Sequence, residues 1–251
     1  MITRNISYEA DGRQMIGSFY APKEKGSYMA ILVCHEGTGL SDTTREVAKR
    51  LALLGYAAFA LDFHGGGKPL PMEELMPRAG ELFGDSPRFR AIGMAGLEVL
   101  LAQPEADSSN VAVIGYCMGG ALAFELARAG TDLKVAVGFH ANLVTGMPAE
   151  EGAVKAKILA MTGSDDPIVD AEQRAAFEVE MTAAEADWQS FVFGGAKHSF
   201  TNPNADDMGH PGIAYDKKAD ERSWSAMMNF FSVEFAPVSA DGEDIHPILV
   251  P

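Results

Sequence analysis

Only two of the 251 residues are cysteine, Cys34 and Cys117, and neither a C-x-x-C nor an H-E-x-x-H spacing occurs. A disulfide framework and the common zinc signatures are thereby excluded, and no metal ion is expected. Basic residues are also scarce: 20 Lys and Arg stand against 35 Asp and Glu, a formal charge of -15. A surface of that sign repels nucleic-acid phosphates and anionic lipid headgroups, so neither is expected as a partner. No apolar run approaches the ~18 residues of a membrane span. Met1 to Arg13 carries polar and acidic residues where a secretory signal would need a hydrophobic stretch, and the expected setting is the cytoplasm. What the chain does have is apolar content, 47%, sufficient for one large core.

Short apolar and β-branched runs alternate with helical patterns, which argues for an α/β fold with a mostly parallel sheet covered on both faces. Ile2 to Tyr8 and Gln14 to Tyr20 flank the turn signal Asp11-Gly12 and read as an opening hairpin. Met29 to Cys34 reads as a buried strand. Ser41 caps a helix that runs to about Leu54 and stops at Gly55, and Tyr56 to Leu61 forms the next strand. Further strands are expected at Val111 to Ile114, Val135 to Phe139, Ala156 to Met161 and Trp188 to Phe193. Helices are expected at Phe89 to Ala102, Ala121 to Arg128, Ala171 to Ala184 and Asp216 to Phe235. Two connections, Phe63 to Arg88 and Ser199 to Tyr215, are rich in Gly and Pro and read as long functional loops. A single domain is expected over residues 1–235, followed by an irregular tail over 236–251 with three prolines and no periodicity.

The most informative segment is Gly115-Tyr-Cys-Met-Gly-Gly120, at the junction of an apolar run and a helical pattern. A strand that turns at once into a helix strains its turning residue, and a Cβ two residues before or after would clash. Gly115 and Gly119 meet that demand. Cys117 would then stand at the C-terminal edge of a parallel sheet, over a helix N-terminus that favours a thiolate and a developing oxyanion. By itself the spacing also describes a tight turn over a buried thiol.

A cysteine nucleophile needs a base, and the base an orienting acid, which on this sheet type follow the nucleophile in the order acid, then base. Thr162-Gly-Ser-Asp-Asp166-Pro-Ile-Val follows one expected strand, and Gly194-Gly-Ala-Lys-His198-Ser-Phe follows another. Taken singly, each aspartate could be a helix N-cap and His198 a loop imidazole; the required order of all three argues for function. Asp166, three residues after Gly163 and followed by Pro-Ile-Val, is favoured over Asp165 as the acid.

With these residues in place the chain resembles the dienelactone hydrolase family of the α/β-hydrolase fold. The Gly115 to Phe124 run, the Asp166-Pro-Ile-Val turn, the Gly195-Ala-Lys-His198-Ser-Phe run and Glu36 carry the resemblance, which spans Ile2 to about Phe231. It implies Cys117 as nucleophile, His198 as base and acid, Asp166 as its partner, and Glu36 as a carboxylate that helps to activate the thiol. It also implies an oxyanion hole made by the backbone N–H groups of Met118 and Gly37. Members that open dienelactone hold its carboxylate partly through an arginine four residues after the histidine, a position that here is Asn202. A second family arginine corresponds to Arg78, and a tyrosine one turn later to Leu82. Arg78 and Asn202 are therefore the candidate substrate contacts.

His64-Gly-Gly-Gly67 spells an oxyanion motif of some lipases but follows the wrong strand, and reads as a flexible loop. His35, His140, His210 and His246 are scattered and read as structural. The function expected is hydrolysis of small carboxylic esters or lactones through an acyl-cysteine, with no cofactor. A binding protein that kept the fold without activity, and an acyltransferase using the same cysteine, are the competing readings. Thiol labelling separates the first from the hydrolase, and product analysis the second.

Overall fold

The computed structural model describes residues 1–235, so the tail expected over 236–251 lies outside the described residues. The chain opens with a hairpin, β1 (Ile2–Ala10) and β2 (Arg13–Ala21), closed at Asp11 and Gly12, both with positive φ. Then follow β3 (Tyr28–Cys34), α1 (Asp42–Leu53), β4 (Ala57–Leu61), α2 (Met72–Phe83), α3 (Ser86–Leu101) and β5 (Ala106–Tyr116). The second half runs α4 (Met118–Arg128), β6 (Val135–Phe139), β7 (Lys157–Gly163), α5 (Ala171–Ala183), β8 (Trp188–Phe193) and α6 (Lys217–Glu234).

The eight strands form one sheet in the order β1-β2-β4-β3-β5-β6-β7-β8, antiparallel through β2 and β4 and parallel from β4 to β8. Alternation along the strands sends their side chains to two cores. Ala30, Leu32 and Cys34 of β3 pack with Phe89 and Ile92 of α3, Leu122 of α4 and Phe177 of α5. Ile31 and Val33 face the other way, against Leu51 of α1 and Trp224, Met227 and Phe231 of α6. The order reverses where β3 lies between β4 and β5, and in doubly wound sheets the crevice outside the strand ends at such a point is where ligands bind. Cys34 pairs with Gly115 there, so the chain leaving β3 and the chain leaving β5 start side by side.

Two sequence expectations change. The Phe63 to Arg88 connection, expected as a loop, contains α2, whose Leu75, Arg78, Ala79 and Leu82 at helical spacing point toward the protein while Met72 and Met76 remain exposed. The strand expected at Val111 to Ile114 starts at Ala106, with a register shift opposite Met29 and Ala30 that accommodates the polar residues 107–110.

Candidate active site

Cys117 sits between β5 and α4 with φ 53° and ψ -116°, a strained conformation for a residue with a side chain. A Cβ at Gly115 would overlap the Gly119 carbonyl, and one at Gly119 would overlap the carbonyls of Cys34 and His35. The two glycines therefore let the elbow close and let α4 start directly against the end of β3. Cys117 N–H donates to Phe139 O at 3.0 Å and its carbonyl accepts from Ala121 N–H at 3.1 Å, which fixes the turn from both sides.

Asp166 leaves β7 and His198 follows β8. His198 Nε2 lies 3.1 Å from Cys117 Sγ, and Nδ1 lies 2.8 Å from Asp166 Oδ2. The other carboxylate oxygen of Asp166 accepts the N–H groups of Ile168 and Val169 at 2.8 and 3.0 Å, so the acid is buried and fully used. Asp165 is exposed and accepts from Ser164 Oγ instead. The loop carrying His198 is tied to residues 212–214: its N–H donates to Gly212 O and its carbonyl accepts from Ala214 N–H. Burial opposes a charge on His198, but the Cys117 sulfur and then Asp166 outweigh it and raise the imidazole to about 10.

Glu36 leaves β3 at the same sheet edge. Its Oε2 accepts from Asn202 Nδ2 at 2.6 Å, while Oε1 has no hydrogen-bond partner and lies 4.0 Å from His140 Nε2. Burial raises the Glu36 carboxyl above the usual range, against the nearby Ser199 hydroxyl, the Asn202 amide and the charge on His198. Gly37 packs beside Met118, where an added Cβ would rest 3.8 Å from the Met118 Cβ, so the expected oxyanion donors are neighbours.

The two candidate substrate contacts take other parts. Arg78 is 3% exposed; its Nη2 pairs with Asp11 Oδ2 at 2.8 Å and reaches Phe63 O, and its Nη1 reaches Glu81. It braces α2 against the β1–β2 turn rather than facing a ligand. Asn202 uses its amide on Glu36 and its Oδ1 on the N–H of Asn204. It stays at the site as a holder of Glu36, along one wall of a cavity of about 190 Å³ that Thr201, Tyr116, Arg50, Asp220 and Trp224 also line.

Two residues outside the sequence-derived candidates lie at this site: His140, read from sequence as structural, and Thr201. His140, immediately after β6, has φ 38°, packs edge-on to His198 at 5.2 Å and bonds Thr201 Oγ1 through Nε2 at 2.8 Å. Burial and then the charge on His198 hold its pKa well below the usual value, so it stays neutral behind His198. Thr201 is anchored by it. The available signal was position: His140 follows a strand whose C-terminal end reaches the same edge as Cys117.

An eight-stranded, mostly parallel sheet with a strained strand-to-helix elbow after its fifth strand defines an α/β hydrolase fold. The chain belongs to the dienelactone hydrolase family, whose model matches residues 15–235, and it is an ester or lactone hydrolase. A dienelactone hydrolase-like promiscuous phosphotriesterase from metagenomic libraries is 40% identical and superposes with a TM-score of 0.88 over 92% of this chain and 97% of its own. A carboxymethylenebutenolidase of Pseudomonas sp. is 30% identical over 69% of this chain and 75% of its own. The dienelactone hydrolase of Anabaena variabilis, 20% identical with a TM-score of 0.62 over 90% of this chain and 97% of its own, shares the fold. Among the described residues no cluster of His, Cys, Asp and Glu could hold a metal ion, and no helix is long and apolar enough to cross a membrane.

Proposed function

We propose that the protein hydrolyses small, uncharged carboxylic esters or lactones through an acyl-cysteine intermediate on Cys117. The observation that carries this reading is the continuous Cys117–His198–Asp166 chain, with heavy-atom distances of 3.1 and 2.8 Å. The thiolate attacks the carbonyl carbon, a C–S bond forms, and the carbonyl π pair moves to oxygen, where the N–H groups of Gly37 and Met118 receive it. The tetrahedral species collapses, the C–O bond to the alcohol breaks, and His198 gives its proton to the departing alkoxide. In a lactone that alcohol remains tethered to the acyl group. Water then attacks the thioester while His198 takes its proton, the C–S bond breaks, and acid and thiolate are released. Asp166 keeps the ring oriented through both halves. Glu36, held by Asn202, presents a carboxyl group of raised pKa beside this chain and acts in setting the proton of the thiol.

The preference for uncharged substrates rests on which cations remain. Arg78 is committed to Asp11, and Lys197 Nζ to Pro211 O at 2.6 Å. The cavity beside Glu36, which Cys117 and His198 do not themselves line, has one cation, Arg50, stacked on Trp224 at 3.6 Å and outnumbered by Glu36, Glu46 and Asp220. A carboxylate entering there meets net negative charge. The cytoplasm is the proposed setting, since Cys34 and Cys117 are both free thiols, as a reducing compartment keeps them.

The test is turnover of a panel of neutral esters and lactones by wild type and Cys117→Ala, with products identified. Free acid as the sole acyl product, lost in the variant, supports hydrolysis at Cys117. Transfer of the acyl group to an added alcohol or amine in preference to water would make the protein an acyltransferase.

A further inference from the structure

Two histidines outside the triad grip the backbone on both sides of Gly37. His35 is fully buried at the end of β3, stacked on Phe63 with ring centroids 3.6 Å apart. Its Nδ1 lies 2.6 Å from the carbonyl oxygen of Glu36, which can only accept, and its Nε2 accepts the N–H of Phe63 at 3.3 Å. Only the neutral tautomer with its proton on Nδ1 satisfies both. The next carbonyl, Gly37 O, accepts from His64 Nε2 at 2.9 Å.

His64 belongs to the His64-Gly-Gly-Gly67 segment, expected as a flexible loop. The structure instead ties that segment to buried Asp62, whose carboxylate accepts the N–H groups of Ile16, His64, Gly65 and Gly67 at 2.8 to 3.0 Å. Gly65, Gly66 and Gly67 all have positive φ, the conformation that lets three successive residues curl around one carboxylate. Burial holds both imidazoles uncharged, with His64 lowered to about 4 and His35 further depressed by its neighbour His64.

In a trans peptide the N–H points opposite to the C=O. Holding the Glu36 carbonyl toward His35, where Gly39 N–H also donates to it at 3.1 Å, therefore turns the Gly37 N–H to the other side of the chain. We infer that His35 and His64 are positioning residues for the oxyanion hole: the pair clamps the carbonyls flanking Gly37 so that its N–H is aimed before substrate arrives. The inference rests on the proposed reading in which Gly37 N–H is an oxyanion donor. Fixed donors are effective because they need no reorganisation as charge develops, and losing one costs about 10²- to 10³-fold in rate. Loosening one without deleting it should cost less, about 10- to 100-fold.

Two reagents that meet the same sulfur test it. Iodoacetamide alkylates Cys117 by displacement, forming C–S and releasing iodide, with no oxyanion. 4-Nitrophenyl acetate acylates it through a tetrahedral oxyanion and releases 4-nitrophenolate. In His35→Leu and His64→Ala, acylation should fall 10- to 100-fold while alkylation stays within threefold of wild type. His35→Gln, which keeps one donor and one acceptor, should recover most of the loss. Alkylation at the wild-type rate also reports an intact Cys117–His198 pair, so an unfolded variant is recognised, and the decision then falls on the other histidine. Unchanged acylation in a folded variant overturns the inference, as does an equal fall in both rates in a variant whose circular dichroism and thermal melt match wild type. Failure of 4-nitrophenyl acetate to acylate wild-type Cys117 would instead strike the functional reading itself.

Discussion

The side-chain amide of Asn202 donates to the carboxylate of Glu36 at 2.6 Å, across 166 residues of sequence. The position at which the family resemblance implies a substrate-binding arginine is therefore spent on holding a carboxyl group of the site. Asn202→Ala should lower kcat/KM about tenfold or more, since hydrogen bonds to charged groups contribute about 1.5 to 3 kcal/mol. The fall should be the same for neutral and anionic esters, measured side by side. A change confined to anionic esters would show that Asn202 touches substrate.

Dienelactone itself should be a poor substrate beside a neutral ester of similar reactivity. Loss of a buried contact to a carboxylate costs about 2 to 5 kcal/mol, which is about 30- to 4,000-fold. Arg78→Met should leave the ratio of the two kcat/KM values unchanged and lower stability by about 2 kcal/mol. That figure lies below the usual cost of breaking a buried pair because Arg88 still holds Asp11 at 2.6 Å. Steady-state kinetics and thermal melts decide both points, and a wide margin in favour of dienelactone would refute the preference.

Asp166→Asn should cripple turnover, by up to about 10⁴-fold, because the amide can hold the wrong tautomer of His198. Asp165→Asn, at an exposed carboxylate, should change it less than threefold. Equal losses in the two variants would mean that the burial of Asp166 against His198 carries no catalytic weight.

The pH profile follows from the raised pKa of His198. A pKa displaced upward from about 6.5 keeps the ring protonated through neutrality, and the proton leaves only as the pH climbs through about 10. The general acid for the alkoxide is lost in that range, whereas displacement of iodide by the sulfur needs no acid. Turnover of an ethyl ester should fall through pH 10, whereas alkylation of Cys117 by iodoacetamide should not. Parallel curves for the two reactions would contradict the assignment of His198 as the acid.

Much of the scaffold was legible because its signals are local. Val135–Phe139 is an apolar run and Trp188–Phe193 an aromatic-rich one, both bounded by polar residues or turns, and Ser41 caps α1 with its Oγ on Thr44 N–H. The helix α2 was hidden because Pro77 and Gly80 interrupt it and one member of its inward stripe is Arg78, whose burial depends on Asp11 from a distant turn. The elbow, the aspartate and the histidine could be read from order and spacing along the chain. The parts played by His35, His64 and His140 could not, because each depends on which backbone carbonyl or loop hydroxyl the fold brings to the ring. Their position within three residues of the ends of strands β3, β4 and β6 was nevertheless visible once the sheet was assigned.

The account stands on Cys117 as the covalent nucleophile. Wild type mixed with 4-nitrophenyl acetate, quenched in acid within one turnover and digested, should show one acetyl group, on the peptide containing Cys117. The same mass should be absent from Cys117→Ala, whose turnover should drop by several orders of magnitude to the level that binding and the oxyanion hole alone sustain. An acetyl group on another residue, or near-normal turnover without Cys117, would contradict it.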